Sequence, residues 1–474
     1  MVIKFGTSGW RAIIADEFTY QNVGIVSQAI ADYLNKTRMK SKEIVVGYDT
    51  RFMSFDFAKH SSQVLAANGF VALLSDESVP TPTISYEIIR RKACGGINIT
   101  ASHNPPEYNG IKFSPSWGGP ALPETTKKIE LNCNIISKNS KKVKIIDFDE
   151  AVKKKKIKVL SFKKAYLNRL SQLVDMEVIK KSKIKVAVDV MNGAGIGYFN
   201  ELFDKYKINY QLFNTNRDCM FGGHHPEPNK EHLSEIANLV KKKKFDIGIA
   251  TDGDADRFGI IDKDGSFITP NEIIAVLLNH LVKTRKWKGI CARSVMTTSL
   301  IDAVAKKWNV KLKETPVGFK YIGDILINEP FIVGGEESGG LSIRGHVPEK
   351  DGLIACLLAV EVMAIEKKSI KQILKELYKE VGYYETAREN FRLNKKQMHA
   401  LKKRLKGEKP QTLAGKKVTE VVTLDGYKFV LESGEWIGIR LSGTEPVVRC
   451  YVDAHSNAGM KKLLNAGKKL VFGK

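Results

Sequence analysis

Four separated stretches repeat one pattern, and that pattern limits the architecture of this chain more than any other property. An apolar, β-branched run of strand length ends in a glycine-bearing loop, and a helical pattern follows. The stretches lie at 43–48, 95–100, 185–190 and 331–335. Strands alternating with helices of about 10 to 15 residues specify an α/β fold with much parallel sheet. At 474 residues the chain exceeds a single core, and at roughly 150 residues per unit it should hold about three. The polar, lysine-rich residues 137–158 read as a linker or an edge segment that closes a first unit, placed at 1–150. A second unit, 155–264, ends at the turn Asp262-Lys263-Asp264-Gly265. A third, 265–380, contains the helical stretch 271–283 and ends near 378–384. The tail, 385–474, changes character, with shorter strands around 417–431 and 436–440 and a helical 458–471, and reads as a small α+β unit.

The most specific chemistry lies in Asp252-Gly253-Asp254-Ala255-Asp256-Arg257. It follows Phe245-Asp246-Ile247-Gly248-Ile249-Ala250, which reads as a buried strand, so the carboxylates stand at a strand's carboxyl end, where α/β proteins keep ligands. On extended backbone, alternate residues project to one side. Asp252, Asp254 and Asp256 are therefore expected to converge, with small Gly253 and Ala255 leaving room for a tight approach. Oxygen-only ligands suit Mg²⁺ or Ca²⁺ rather than Zn²⁺, and Arg257 beside them suits phosphate. An EF-hand loop begins with the same alternation but needs Gly at its sixth position and Glu at its twelfth. Here those positions hold Arg257 and Lys263, and lysine cannot chelate. A solvated acidic turn is the plainer alternative, and the buried strand before it weighs against that.

Composition narrows the partners. Hydrophobic content of 43% and charged content of 27% are ordinary for a globular protein. No apolar run is long enough to cross a bilayer, so no membrane partner is expected. The opening Met1-Val2-Ile3-Lys4-Phe5-Gly6 goes straight into strand-like sequence without the regions of a secretory signal. Six cysteines (Cys94, Cys133, Cys219, Cys291, Cys356, Cys450) form no C-x-x-C pair, which argues against a disulfide framework or a zinc site and fits a reducing cytoplasm. A net charge of +24 admits nucleic acid or an anionic membrane. The lysine runs 153–156 and 241–244, however, carry no interleaved aromatics or arginines and read as solvated faces, so no obligatory nucleic acid is expected.

Other segments carry chemistry too. Thr100-Ala101-Ser102-His103-Asn104-Pro105 follows a strand and ends in proline, which presents Ser102 on a constrained turn as a candidate nucleophile. Adjacent residues on extended backbone face opposite ways, which gives His103 a supporting place rather than that of a base. No G-x-S-x-G elbow is present. Lys112, in a strand-like run, either reaches water or addresses an anion. Gly335-Glu336-Glu337-Ser338-Gly339-Gly340 sets polar groups between glycines, which suits sugar hydroxyls or makes only a tight turn. Arg440-Leu441-Ser442-Gly443-Thr444-Glu445-Pro446-Val447-Val448-Arg449 combines arginines, hydroxyls and a glycine that frees backbone N–H groups, a phosphate cradle by composition. Gly193-Ala194-Gly195-Ile196-Gly197 imitates a dinucleotide fingerprint, but Tyr198 holds its third position, and it reads as strand-to-helix packing.

In this order, and with the opening Phe5-Gly6-Thr7-Ser8-Gly9-Trp10-Arg11, these segments resemble the α-D-phosphohexomutase superfamily over nearly the whole chain. The resemblance implies four domains around a central cleft: three similar α/β domains with mixed sheets between helices, and a small C-terminal α+β domain. It implies that Ser102 carries a phosphoryl group, and that Mg²⁺ is held by Asp252, Asp254, Asp256 and a phosphoserine oxygen. Arg11, Lys112 and Arg257 then act at the reacting phosphate. His103, Lys320, Glu336 and Ser338 contact the substrate, with Arg440, Ser442, Gly443, Thr444 and Arg449 around its other phosphate. The expected substrate is a hexose phosphate, with a hexose 1,6-bisphosphate as intermediate and activator, in a cytoplasmic monomer or homodimer. Residues 335–340, Thr315-Pro316-Val317-Gly318-Phe319-Lys320 and Glu349-Lys350-Asp351-Gly352 are similar to the glucose-type pattern, with Gly340 where other branches carry histidine. Mannose, dual-specificity and, less well, glucosamine enzymes are the alternatives within the family. A metal-dependent phosphatase and a nucleic-acid-binding basic protein are the alternatives outside it. The missing histidine leaves the general acid/base open; Lys112 qualifies only with a depressed pKa.

Overall fold

The computed structural model describes residues 3–6, 9–139, 142–407, 409–441 and 447–473. The four repeated apolar runs become central strands: Glu43–Tyr48, Gly95–Ile99, Lys185–Asp189 and Phe331–Gly335. Two of them, Gly95–Ile99 and Phe331–Gly335, are buried along their whole length, as strands covered by helices on both faces must be.

The first sheet runs Trp10–Ile13, Tyr108–Pro115, Gly95–Ile99, Glu43–Tyr48, Val71–Ser75, Ile157–Leu160, with its first three strands antiparallel and the rest parallel. Of the two readings of the lysine-rich stretch, the structure holds the edge: helix Phe148–Lys153 leads into Ile157–Leu160, which closes this sheet from beyond residue 150. The second sheet is Phe267–Ile268, Phe258–Asp262, Ile247–Thr251, Lys185–Asp189, Asn209–Phe213. The third is Lys311–Thr315, Ile290–Ser294, Phe331–Gly335, Leu341–Ile343. Both are mixed.

The fourth sheet is wholly antiparallel. Alternate side chains of its strands separate two contacts. Ile437 and Ile439 meet helices Lys395–Lys406 and Asn457–Phe472, while Trp436 and Tyr451 pack on Val295 and Met296 of the third unit. Sequence patterning had shown neither strand Glu385–Arg392 nor helix Lys395–Lys406. The latter is fixed by a capping box between Asn394 and Gln397 and buries only Leu401 and Leu405.

The second and third sheets share one apolar core, and helix Gly352–Glu366 is its centre. Every residue from Gly352 to Ala364 is buried, the signature of a helix enclosed on all sides. Its one buried carboxylate, Glu361, accepts from the Asp175 N–H at 2.7 Å, Arg285 Nη2 at 2.6 Å and His280 Nε2 at 3.2 Å. Burial pushes this carboxyl up, but His280 and Arg285 outweigh it and the net direction is down. A depressed folded-state pKa adds stability above the unfolded value of about 4.3, and that stability is lost as pH falls through the folded value. Glu361→Gln should therefore flatten the dependence of Tm on pH below about 4.3. Glu361→Ala should cost about 3–5 kcal/mol in urea unfolding at neutral pH, because it strands buried partners.

Candidate active site

The turn after strand Gly95–Ile99 carries Ser102 at φ 54°. This left-handed backbone differs from the extended chain expected there, so His103 is not turned away: its Nδ1 lies 3.4 Å from Ser102 Oγ. Burial, and then Arg257 and Arg11, press the His103 imidazole well below its ordinary range, which keeps it neutral. Ser102 is 1% exposed and donates to Asp252 Oδ2 at 2.8 Å, across 150 residues of sequence.

Beneath the turn lies Arg51, which sequence reasoning did not single out. Its Nε donates to Asp49, Nη1 to the carbonyls of Pro105 and Tyr108, and Nη2 to those of Ser102 and Asn104 at 2.6 and 2.7 Å. Asn104 Oδ1 in turn accepts from Arg11 Nη1 at 2.6 Å. Burial, and then Arg257, lower the Arg11 guanidinium to about 10.

The carboxylate loop is a turn rather than an extended strand, with Ala255 at φ 54°. Asp252, Asp254 and Asp256 nonetheless converge: a ligand atom from each lies within 4.8 Å of the others, and all three are buried. Tight turning, not strand alternation, brings them together. Gly352 N donates to Ala255 O at 3.0 Å, and a Cβ on Gly352 would stand 2.2 Å from Arg257 O, so the start of the central helix presses directly on this loop. The Gly193–Gly197 segment does pack strand to helix, and it also meets the loop, Ala194 N donating to Gly253 O at 2.9 Å.

Positive charge arrives from the first and third units. Lys112 Nζ, from the first sheet, lies 2.5 Å from Asp254 Oδ2 and 2.7 Å from Asp256 Oδ2. Lys350 Nζ, from the third unit, lies 3.0 Å from Asp256 Oδ2 and 2.9 Å from Glu349. Thr81 of the first unit donates its hydroxyl to Asp254 as well. Burial raises all three carboxyls. Lys112 nonetheless holds Asp254 below the usual range, and Lys112 with Lys350 does the same for Asp256, while Asp252, burdened by its two neighbours, goes well above it. Lys112 itself is lowered by burial but raised further by Asp254 and Asp256, so the net direction is up, against the depressed value a base requires.

Whether these residues fit a cation is decided by their free atoms. Asp254 Oδ1 and Asp256 Oδ1 are buried with no hydrogen-bond partner, and Arg257 Nε is likewise unpartnered. Two orphaned carboxylate oxygens beside a third carboxylate are the donor set of a hard divalent cation.

Family models for the phosphoglucomutase/phosphomannomutase domains match the chain in four consecutive segments: domain I at residues 2–140, II at 164–265, III at 269–381 and the C-terminal domain at 390–466. A phosphoglucomutase of Komagataeibacter xylinus is 33% identical over 98% of this chain and 89% of its own. The chain belongs to the α-D-phosphohexomutase superfamily. It is a phosphohexomutase, an isomerase of a Mg²⁺-dependent family. A phosphoglucomutase/phosphomannomutase of Thermococcus kodakarensis is 31% identical over 98% of both chains. The open form of Paramecium parafusin, a phosphoglucomutase, superposes with a TM-score of 0.83 at 25% identity, covering 99% of this chain and 94% of its own.

In this phosphohexomutase the Glu336 loop lies close enough to the cluster to feel the charges of Lys350 and Arg257. Glu336 is 6% exposed and accepts from Gly318 N at 2.8 Å; burial raises its carboxyl. A Cβ on Gly340 would lie 2.2 Å from Lys350 Cδ, so the Lys350 stem fills the space a histidine there would need. Lys350, quoted in sequence but given no role, is the second residue that reasoning missed. Lys320 is half-buried, and burial lowers its ammonium. Ser338 is half-buried on the turn closed by Gly339 N to Glu336 O. Arg440 Nε donates to Asp425, which also accepts from Val317 N of the third unit. Arg440 stands directly opposite Arg449 across the ladder, a like-charge pairing that costs stability unless an anion sits beside it. Ser442, Gly443 and Thr444 lie outside the described residues, as do Thr7 and Ser8.

Mg²⁺ at ~100 times its Kd should stabilise the fold by about 2.7 kcal/mol, read as a rise in Tm that EDTA reverses. Asp254→Asn should remove most of that rise. A wild-type Tm indifferent to Mg²⁺ would overturn the assignment of this cluster.

Proposed function

We propose that this phosphohexomutase interconverts glucose 1-phosphate and glucose 6-phosphate, with Ser102 carrying the phosphoryl group and glucose 1,6-bisphosphate as the intermediate. The observation that carries the reading is the hydrogen bond from Ser102 Oγ to Asp252 Oδ2, which joins a buried hydroxyl on a strained turn to a buried carboxylate cluster. Asp252, Asp254 and Asp256 would hold Mg²⁺, which when bound neutralises charge on the transferring group.

The chain's own residues supply the rest. Asp252 orients the Ser102 hydroxyl, and Arg51 fixes the turn beneath it. Lys112 keeps its proton and contributes charge, together with Arg257 and Arg11, toward the phosphoryl oxygens. Glu336 and Ser338 would bind sugar hydroxyls, with Lys320 and His103 at the substrate's edge. Arg440 and Arg449, with Ser442, Gly443 and Thr444, would hold the phosphate that is not reacting, so that the bisphosphate can turn and return its other phosphate to Ser102. Exclusion of water protects the phosphoserine, and closure of the fourth unit on the third, already joined through Asp425, would supply it. The enzyme is placed in the cytoplasm, as a monomer or homodimer with no obligatory nucleic acid.

Two measurements test the reading. Ser102→Ala should lower steady interconversion by ~10³-fold or more, and undiminished turnover would refute the phosphoserine route. Glucose 1-phosphate should exceed mannose 1-phosphate in kcat/KM by at least ~10-fold, about 1.4 kcal/mol of discrimination. Parity between them would make the enzyme one of dual specificity.

A further inference from the structure

Phe221 is buried for a reason other than an apolar core. It is 4% exposed, yet it joins none of the apolar clusters among the described residues. Its neighbours Met220, Gly222, Gly223, His224 and His225 are all exposed. The chain here is an open loop with a single aromatic driven inward. That insertion is held against backbone preference: Phe221, Gly222 and Gly223 have φ of 53°, 67° and 81°, and a left-handed conformation in an aromatic residue is a true outlier. Asp218 fastens the turn, its carboxylate accepting from Met220 N and Gly222 N at 2.9 Å each and its carbonyl from Phe221 N.

The ring's contact is the guanidinium of Arg51, 4.9 Å from the ring centroid. All five N–H bonds of that guanidinium are engaged in its plane, one with Asp49 and four with the carbonyls of Ser102, Asn104, Pro105 and Tyr108. Only its faces remain, and an aromatic face suits a buried cation with no donor to spare. The same loop continues to Pro226, whose carbonyl accepts from Gly253 N at 3.1 Å, and to Glu227, 3.4 Å from Arg257 Nη1. One strap of ten residues, 218–227, thus bears on the Ser102 turn at one end and on the carboxylate loop at the other.

We propose that Phe221 is a positioning residue for Ser102: its ring fixes the Arg51 guanidinium, and with it the Ser102 turn, in register with Asp252, Asp254 and Asp256. The role rests on Ser102 carrying the phosphoryl group. A guanidinium bonded only in its plane can still tilt or slide, and every such displacement moves the Ser102 carbonyl. A small displacement of the reacting group costs rate while leaving the sugar contacts untouched, and it opens the phosphoserine to water.

The test uses the full chain charged with radiolabelled glucose 1,6-bisphosphate, followed by rapid-mix transfer of label to glucose 6-phosphate and release of inorganic phosphate. Phe221→Leu keeps an apolar side chain but removes the aromatic face, and Phe221→Tyr keeps the face. Phe221→Leu should label at Ser102, transfer to sugar ~10- to ~100-fold more slowly with KM within ~2-fold, and lose a larger share of label to water. Phe221→Tyr should restore transfer. Arg51→Lys, which keeps the charge but breaks the planar set of bonds, should reproduce the Phe221→Leu signature, and this arm stands even where Phe221→Leu folds poorly. Wild-type transfer by Phe221→Leu would overturn the role, as would equal losses in the Leu and Tyr variants. Failure of the wild-type enzyme to take label at Ser102 would remove the phosphoserine reading itself, a result distinct from labelled enzyme with unchanged transfer.

Discussion

Three buried carboxylates with oxygens within 4.8 Å of one another repel, and each would be driven to hold a proton unless positive charge is brought to it. Most of the architecture around the carboxylate loop answers that problem. Lys112 comes from the middle strand of an antiparallel trio in the first unit, Lys350 from the residue pair just before the central helix, and Arg257 from the loop's own end. Neither lysine is free to be elsewhere, because each is itself buried and needs the carboxylates as much as they need it. The two oxygens left unpartnered mark what the protein's own charges do not satisfy.

That mutual dependence explains why the site is assembled from separate units. Lys112 and Asp254 are 142 residues apart, and Ser102 and Asp252 are 150 apart. A cluster drawn from one unit could settle its charges locally and would stay formed whatever the other units did. Here the electrostatic compensation exists only when the first, second and third units meet. The chemistry and the docking of the units are therefore one equilibrium rather than two.

Much of this was legible in the sequence because ligand loops in α/β units follow strand ends, and strand ends are visible as apolar runs that stop at glycine, serine or aspartate. Ser102, the aspartates and Glu336 are picked out as candidates that way. The route was less sound than the result for the aspartates: alternation implies extended backbone, whereas a turn through left-handed Ala255 is what converges them. Arg51 was invisible because its partners are carbonyl oxygens, which every residue has. Lys350 was passed over because a lysine after a glutamate reads as surface, and only the close approach of its stem to Gly340 shows it to be interior. Phe221 lies in a segment rich in glycine and histidine, where no periodicity marks a single buried ring. Helix Lys395–Lys406, with just two buried leucines, carries too narrow an apolar stripe to announce itself.

Helix Gly352–Glu366 has one more consequence. Its sequence belongs with the third unit, yet it supplies the apolar floor of strands Ile247–Thr251 and Phe258–Asp262 in the second. A cut between the two units near residue 265 would leave one fragment with an uncovered sheet and the other with a helix bared along one apolar face. A boundary drawn there in the sequence is thus crossed by the apolar core, and dividing the polypeptide at it exposes apolar surface on both sides.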